Sequence, residues 1–213
     1  EPLFSDDYLL SLWEAEFAEY RASGEDTELR DRLVHWVDRD VSQTETQLQG
    51  QFISAFFGST WGYWATGERS KDAGYCLNAQ YGVSGAGETG GKGASDLALG
   101  WWGVEGIAPV AQVLCEFKDI RSSLDAPQKR KGNNRTPVEQ CFDYLKYEFD
   151  HTDVHSTLKP SWGLVTDMNE FRLYARTAGD ERCQRFVVKA TDGGVSLTGE
   201  TDDAAFQRFL FTR

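Results

Sequence analysis

The sequence predicts an α/β fold: a central mixed β-sheet flanked by helices, with an N-terminal helical segment. Hydrophobic residues recur at helical spacing through the first quarter of the chain, and apolar, strand-like runs then alternate with a further helical stretch. This order of elements is typical of a mixed sheet with helices packed on it. With 213 residues, of which 40% are hydrophobic, the chain is long enough for one well-packed domain.

Three helices are predicted before the first strand. They cover residues 3–22, residues 28–39, and a stretch that begins near residue 42 or 44 and is broken by Gly58 and Gly62. In the first helix, Leu9, Trp13 and Phe17 recur at helical spacing. The simplest interpretation of the aromatic side chains in these helices is core packing.

Strands, a helix and a hairpin are predicted after the helical segment. Strands are expected at 94–99, 110–118 and 185–190, a hairpin at 162–176, and a last helix at 202–210. Between the second strand and the hairpin, Thr136, Pro137 and Glu139 have the order of a helix start, with Thr as N-cap and Pro at the first position. We expect this helix to run to about Phe149.

Three charged residues interrupt the first two apolar strands. Asp96 lies in the first strand, and Glu116 and Lys118 lie near the end of the second. Side chains alternate along a strand, so Glu116 and Lys118 point to the same face. Two carboxylates suit a hard divalent cation, and a nearby ammonium can orient a water or stabilise charge on phosphate. The pattern favours metal-dependent phosphodiester cleavage; the alternative is ordinary strand-end charges joined by a salt bridge.

The net charge of −12 weighs against tight DNA binding by this chain alone, because such binding depends on releasing counterions from phosphates. We therefore expect another domain or subunit to supply most of the DNA affinity.

The chain begins with Glu1, and we expect it to be part of a longer protein. Four dispersed cysteines without a Cys-x-x-Cys pair argue against structural zinc and favour reduced thiols. No apolar run reaches the roughly 20 residues that a membrane span needs.

These motifs resemble those of the PD-(D/E)XK nuclease superfamily. Ser95-Asp96 stands where Pro-Asp is common, and Glu116-Phe117-Lys118 matches the acid-x-Lys element. Further strings resemble, in order, the N-terminal nuclease domain of single-chain, type IIG-like restriction–modification enzymes: Leu124–Gln128, Thr136–Gln140, Trp162–Thr166 and Phe171–Tyr174. The resemblance covers roughly residues 40–176.

The resemblance implies a role for each residue of the strand motifs. Asp96 and Glu116 would bind Mg²⁺, or Mn²⁺ in its place, with the Phe117 carbonyl and waters completing the coordination shell. Lys118 would position or activate the attacking water. Water would then attack the phosphodiester directly, without a covalent enzyme intermediate.

Helix residues complete the implied site. Gln140 and Tyr144 match a Gln-x-x-x-Tyr element and would orient Lys118 or a DNA phosphate, although an ordinary helix face near an N-cap explains them almost as well. Glu45 fits the acid that such nucleases carry on an early helix, because the stretch from Glu45 to Tyr63 resembles a helix ending in Leu-Gly-Trp. An acid early in a helix is also favourable on its own.

Basic residues after the second strand are candidates for contact with DNA phosphates: Arg121, Lys129, Arg130, Lys131 and Arg135. Double-stranded DNA would be the substrate, and dimerisation on DNA stays open. A solvated loop accounts for the same basic run equally well.

We therefore expect one nuclease domain over residues 1–213, with a helical segment at 1–40, the nuclease core at 41–176, and a C-terminal strand and helix at 177–213. The expected function is a Mg²⁺-dependent DNA endonuclease of prokaryotic restriction–modification or anti-phage defence, in the cytoplasm. Methyltransferase and target-recognition domains or subunits would be its partners, and S-adenosylmethionine would bind only outside this chain. The alternatives are a catalytically silent, nuclease-like DNA-binding or regulatory module and a repair or recombination nuclease.

Overall fold

The computed structural model describes residues 2–5, 8, 11, 14–38, 45–87, 90–120, 122–128, 134–152, 159–190 and 197. Its α-helices are α1 (Glu14–Ser23), α2 (Glu25–Asp38), α3 (Glu45–Phe52) and α4 (Pro137–His151). Its strands are β1 (Tyr75–Val83), β2 (Gly93–Trp102), β3 (Val110–Phe117), β4 (Trp162–Thr166), β5 (Glu170–Ala175) and β6 (Cys183–Val187). A π-helix (Ile53–Thr60) continues α3, and 3-10 turns lie at Lys71–Ala73 and Arg176–Ala178.

The six strands form one mixed sheet in chain order from β1 to β6. The first three are antiparallel neighbours, β4 is parallel to β3, and β5 and β6 return to antiparallel pairing. A parallel pair requires a crossover connection, and α4 lies on the chain between β3 and β4. The predicted α/β fold, with a central mixed sheet and flanking helices, is confirmed.

Helices cover the two faces of the sheet with different cores. On one face, α2, α3 and the π-helix contribute Leu33, Phe52 and Phe56 to a cluster that includes Phe117 and Phe171 from the strands, all at most 1% exposed. Phe52 packs edge-on against Phe117, with ring centroids 5.4 Å apart. Core packing is the role predicted for the helix residues Phe52 and Phe56.

The other face is covered by α4, which brings Tyr144 and Leu145 onto Ala98 and Leu114 of the sheet. The approach is close because β4 carries a glycine: a Cβ at Gly163 would lie 2.8 Å from the Cys141 sulfur. The start of α4 is as predicted. Thr136 caps it by accepting from the Glu139 N–H at 3.1 Å, and the Glu139 carboxylate accepts from the Thr136 N–H at 2.6 Å.

Several predicted boundaries were wrong. Residues 3–5 are not helical, and β1, a strand the sequence analysis did not predict, forms one edge of the sheet. Of the two glycines expected to break the third helix, Gly58 does not interrupt it: the chain continues as a π-helix to Thr60 and leaves helical geometry before Gly62. The strand expected at 185–190 spans Cys183–Val187 instead. The helix expected at 202–210 lies outside the described residues.

The predicted hairpin at 162–176 is present as β4 and β5. All four cysteines are free, and Cys76, Cys115 and Cys141 are buried. Across the described ranges, no helix combines the length and apolar character that crossing a membrane requires.

Candidate functional site

The register of β2 and β3 brings Asp96 and Glu116 side by side. Ala98 pairs with Leu114 in this antiparallel register, so the position two residues further along sets Asp96 opposite Glu116. Side chains alternate between faces, and Ala98 and Leu114 face α4. Both carboxylates therefore lie on the α4 face of the sheet.

Two donors hold the Asp96 carboxylate. The Phe117 N–H donates to Oδ2 at 2.7 Å, and Gln80 Nε2 donates to Oδ1 at 3.3 Å. The neighbouring Ser95 is fully buried, and its hydroxyl accepts from the Cys115 N–H at 3.1 Å while lying 2.8 Å from the Cys115 carbonyl. The serine that stands in place of a proline thus fastens β2 to β3 beside Asp96.

Glu116 and Lys118 form a buried ion pair next to Asp96. Lys118 Nζ lies 2.5 Å from Glu116 Oε1, and the two residues are 8% and 2% exposed. The prediction that they share a face is confirmed by this contact. Burying a carboxylate is costly unless a cation or donors accompany it, so Lys118 is what keeps a charged Glu116 tolerable beside a second acid.

Gln140 and Tyr144 of α4 meet as the helical spacing predicted. Gln140 Nε2 donates to the Tyr144 hydroxyl at 2.5 Å. Tyr144 is 3% exposed, and burial, followed by the negative charges of Glu116 and Asp96, raises its pKa well above the ordinary value. The phenol therefore stays protonated at neutral pH, and its O–H remains a donor within the field of the two carboxylates.

Gln128 is a member of this group that the sequence analysis did not single out. Its Nε2 donates to Gln140 Oε1 at 2.9 Å, which fixes the orientation of the Gln140 amide. Its backbone N–H donates to the Arg135 carbonyl at 3.1 Å. The sequence offered one indication of its importance: Gln128 ends the string Leu124–Gln128, which resembles the nuclease family but to which the resemblance assigned no role.

A two-pronged ion pair anchors the segment that carries Gln128. The Arg172 guanidinium of β5 donates to both carboxylate oxygens of Asp125, at 2.6 and 2.8 Å, and this contact lowers the pKa of the Asp125 carboxyl. Leu124 beside it is 2% exposed. The segment between β3 and α4 is thus fastened to the sheet on the side of the candidate site.

The predicted basic residues are described only in part. Arg135 is described, and its guanidinium lies 2.5 Å from the Asp143 carboxylate on α4, so part of its charge is engaged within the chain. The other four candidates lie outside the described residues: Arg121, Lys129, Arg130 and Lys131.

Glu45 is the first residue of α3, and its side chain is outside the described part of the structure. Among the described residues, no group of three or more His, Cys, Asp or Glu side chains gathers in a way that could hold a metal ion. Asp96 and Glu116 are therefore a two-carboxylate set, with the Phe117 backbone at the same place.

A cavity of about 380 Å³ lies on the opposite face of the sheet. The described residues that line it are apolar or aromatic and include Phe57, Trp61, Leu99, Val113 and Leu164. Without charged groups it does not suit phosphate chemistry, and the polar cluster under α4 remains the candidate site.

Comparison with known proteins adds no assignment, because no family model, curated protein or solved structure matches this chain.

Proposed function

We propose that this chain is a Mg²⁺-dependent DNA endonuclease domain of a prokaryotic restriction–modification or anti-phage system. The observation that carries the proposal is the convergence of Asp96, Glu116 and Lys118 on one face at neighbouring strand ends. Buried charges are rare in cores unless they have partners or a chemical task. The Gln140–Tyr144 pair beside them adds donors suited to a phosphate.

The donor set fits a hard cation. Asp96 and Glu116 offer carboxylate oxygens from adjacent strands, and the Phe117 carbonyl points to the same side of β3 as the N–H that reaches Asp96. Mg²⁺ favours such oxygen ligands and retains several waters, and Mn²⁺ accepts the same donors. When bound, the cation supplies charge neutralisation at the phosphate and acidifies a bound water.

The chain's own groups have separate tasks in the proposed hydrolysis. A water oxygen attacks phosphorus, the bond from phosphorus to one ester oxygen breaks, and the proton that the water loses ends on that leaving oxygen. Lys118 orients the attacking water and stabilises the negative charge that develops on the phosphoryl oxygens. Tyr144, held by Gln140, donates a hydrogen bond to a phosphate oxygen.

The acidic character of the chain supports delivery of this domain to DNA by others. A net charge of −12 opposes non-specific attraction to phosphates. Methyltransferase and target-recognition domains or subunits are the proposed partners, and any need for S-adenosylmethionine belongs to them. A cytoplasmic location in a prokaryotic cell is part of the same proposal.

Cleavage of plasmid or phage DNA by the full-length protein with Mg²⁺ tests the proposal. Wild type should cut, and folded Asp96→Ala and Lys118→Ala variants should not. Asp72→Ala is the matched control, because it removes an exposed carboxylate from a 3-10 turn outside the candidate site. Equal behaviour of all four proteins would sink the catalytic claim.

One observation favours a second candidate, a nuclease-like module that binds DNA or regulates without cutting. The described residues provide two acids at the site and no third His, Cys, Asp or Glu side chain, and Lys118 already engages Glu116. In that case the full-length protein would bind DNA with the same affinity whether or not Asp96 and Lys118 were replaced, and none of the proteins would cut.

A further inference from the structure

Gln80 departs from strand geometry at the position of β1 that faces Asp96. The residues on either side keep the antiparallel register, with Ala79 opposite Leu97 and Tyr81 opposite Ser95. Gln80 between them has a φ of +53°. L-residues other than glycine rarely adopt this left-handed conformation, and the backbone is strained when they do.

The strained residue lies where β1 changes the face to which its side chains point. Leu77 packs in the cluster with α2 and α3, whereas Tyr81 and Val83 pack in the cluster under α4. Among the described residues, Met168 is the other non-glycine residue with positive φ, and it sits in the tight turn between β4 and β5 with its side chain fully buried. Gln80 lies inside a paired strand, and its side chain is exposed. Glycine would adopt the same conformation freely, so the change of face by itself does not require a glutamine side chain here.

The contact of that side chain is with Asp96. Gln80 Nε2 donates to Oδ1 from the β1 side, while the Phe117 N–H donates to Oδ2 from the β3 side. Each carboxylate oxygen thus has its own donor, from a different neighbouring strand. Two donors on opposite sides fix the rotation of a carboxylate about its Cβ–Cγ bond, which a single donor does not.

We propose that Gln80 is a positioning residue of this site, which holds the Asp96 carboxylate in the orientation needed to present an oxygen to a divalent cation. The strained backbone directs the amide toward Asp96 from the edge strand. Its effect on cleavage rests on the proposed nuclease function, whereas its effect on Asp96 does not. An unfolding measurement reports on the effect on Asp96, and a cleavage assay reports on the effect on DNA hydrolysis.

A double-mutant cycle on the 213-residue chain measures the effect on Asp96. Gln80→Gly is made in the wild-type chain and in Asp96→Ala, and urea unfolding is followed for all four proteins. Because glycine's effect on the unfolded chain is the same in both backgrounds, it cancels. We expect the substitution to change the unfolding equilibrium constant about 3- to 10-fold differently in the two backgrounds. Identical changes would overturn the inference, whether or not the protein cuts DNA.

Cleavage by the full-length protein gives the functional arm. Gln80→Gly should lower the cleavage rate by roughly tenfold and raise the Mg²⁺ concentration needed for half-maximal rate, because the carboxylate loses its fixed orientation. Its urea midpoint should be at least as high as that of Asn78→Ala, the matched control, which removes an amide from the same strand opposite Ala98 and should cut normally.

The outcomes separate the two proposals. Wild-type cleavage and Mg²⁺ dependence in Gln80→Gly would overturn the positioning role while leaving the nuclease proposal intact. Coupling between Gln80 and Asp96 in a protein that never cuts would remove the nuclease function and support the positioning role. Loss of cleavage in Asn78→Ala as well would assign the effect to β1 as a whole and overturn the inference for Gln80.

Discussion

The largest loss of stability is expected when the buried ion pair between Glu116 and Lys118 is broken. We consider Lys118→Met, which keeps the length and apolar stem of the side chain and removes its charge. The Nζ–Oε1 distance is 2.5 Å, and the side chains of Lys118 and Glu116 are 11% and 3% exposed. At an effective dielectric constant of about 20, Coulomb's law gives about 7 kcal/mol of attraction, much of which desolvation offsets.

The expected loss is at the lower end of the range for breaking buried pairs. Removing one partner of such a pair costs about 3–5 kcal/mol, and we expect about 3 kcal/mol because Lys118 retains some exposure. For a chain of this size the melting temperature should fall by about 6–12 °C. The double variant Glu116→Gln with Lys118→Met should recover most of the loss, since the buried Glu116 carboxylate is then removed together with the cation that it pairs with.

Urea unfolding of the single and double variants provides the assay. Lys189→Met is the control: its ion pair with Asp38 has the same 2.5 Å distance, but the two side chains are 50% and 45% exposed. Exposed pairs contribute about 0–1 kcal/mol, so this control should unfold almost as the wild type does. If Lys118→Met were as stable as Lys189→Met, the buried Glu116 carboxylate would not need the Lys118 cation. That result would contradict our explanation of the ion pair.

Further predictions concern α4 and the β4–β5 turn. Tyr144→Phe leaves the Gln140 amide without its acceptor and should lower the free energy of unfolding by about 1–2 kcal/mol and slow cleavage. Urea unfolding and plasmid nicking measure the two effects. If both values were unchanged, the Tyr144 hydroxyl would have no role in the site. Gly163→Ala places a methyl group 2.8 Å from the Cys141 sulfur and should lower the free energy of unfolding by about 1–3 kcal/mol. Adding Cys141→Ala should recover part of this loss. If it recovered none, the proposed clash would be contradicted. Burial raises the pKa of Asp167, although backbone N–H groups donate to it. The wild type should therefore lose stability as the pH rises from the unfolded-state pKa of about 3.9 to the higher folded-state pKa. Asp167→Asn should abolish that loss of stability, and below about pH 3.9 its stability should equal that of the wild type. Thermal melts across pH measure both effects. Parallel pH profiles of the two proteins would contradict the prediction.

Local signals in the sequence accounted for much of the fold. The cap of α4 was readable because Thr136, Pro137 and Glu139 act within one helical turn. The hairpin of β4 and β5 was readable because its strands flank a short polar turn. The shared face of Glu116 and Lys118 followed from the two-residue period of a strand alone.

Other parts of the candidate site had no local signal. Gln128 lies in a loop, and its contact with Gln140 depends on how Asp125 is fastened to Arg172, a residue 47 positions away. β1 was not predicted, so Gln80 could not be related to Asp96. Ser95 was noted as a replacement for proline, but its bonds across the sheet to Cys115 require the pairing of two strands.

Local patterns along the chain are enough to show which residues are charged within apolar strands, which of them share a face, and where α4 begins. Which of these faces meet depends on the tertiary structure. Asp96 stands opposite Glu116 because of the register between β2 and β3, and under α4 because β4 pairs with β3. A shift of one residue in this register would turn Asp96 to the opposite face of the sheet, where the aromatic cluster with Phe52 and Phe117 lies. Register is set by packing between segments far apart in the chain, so a local pattern does not contain it.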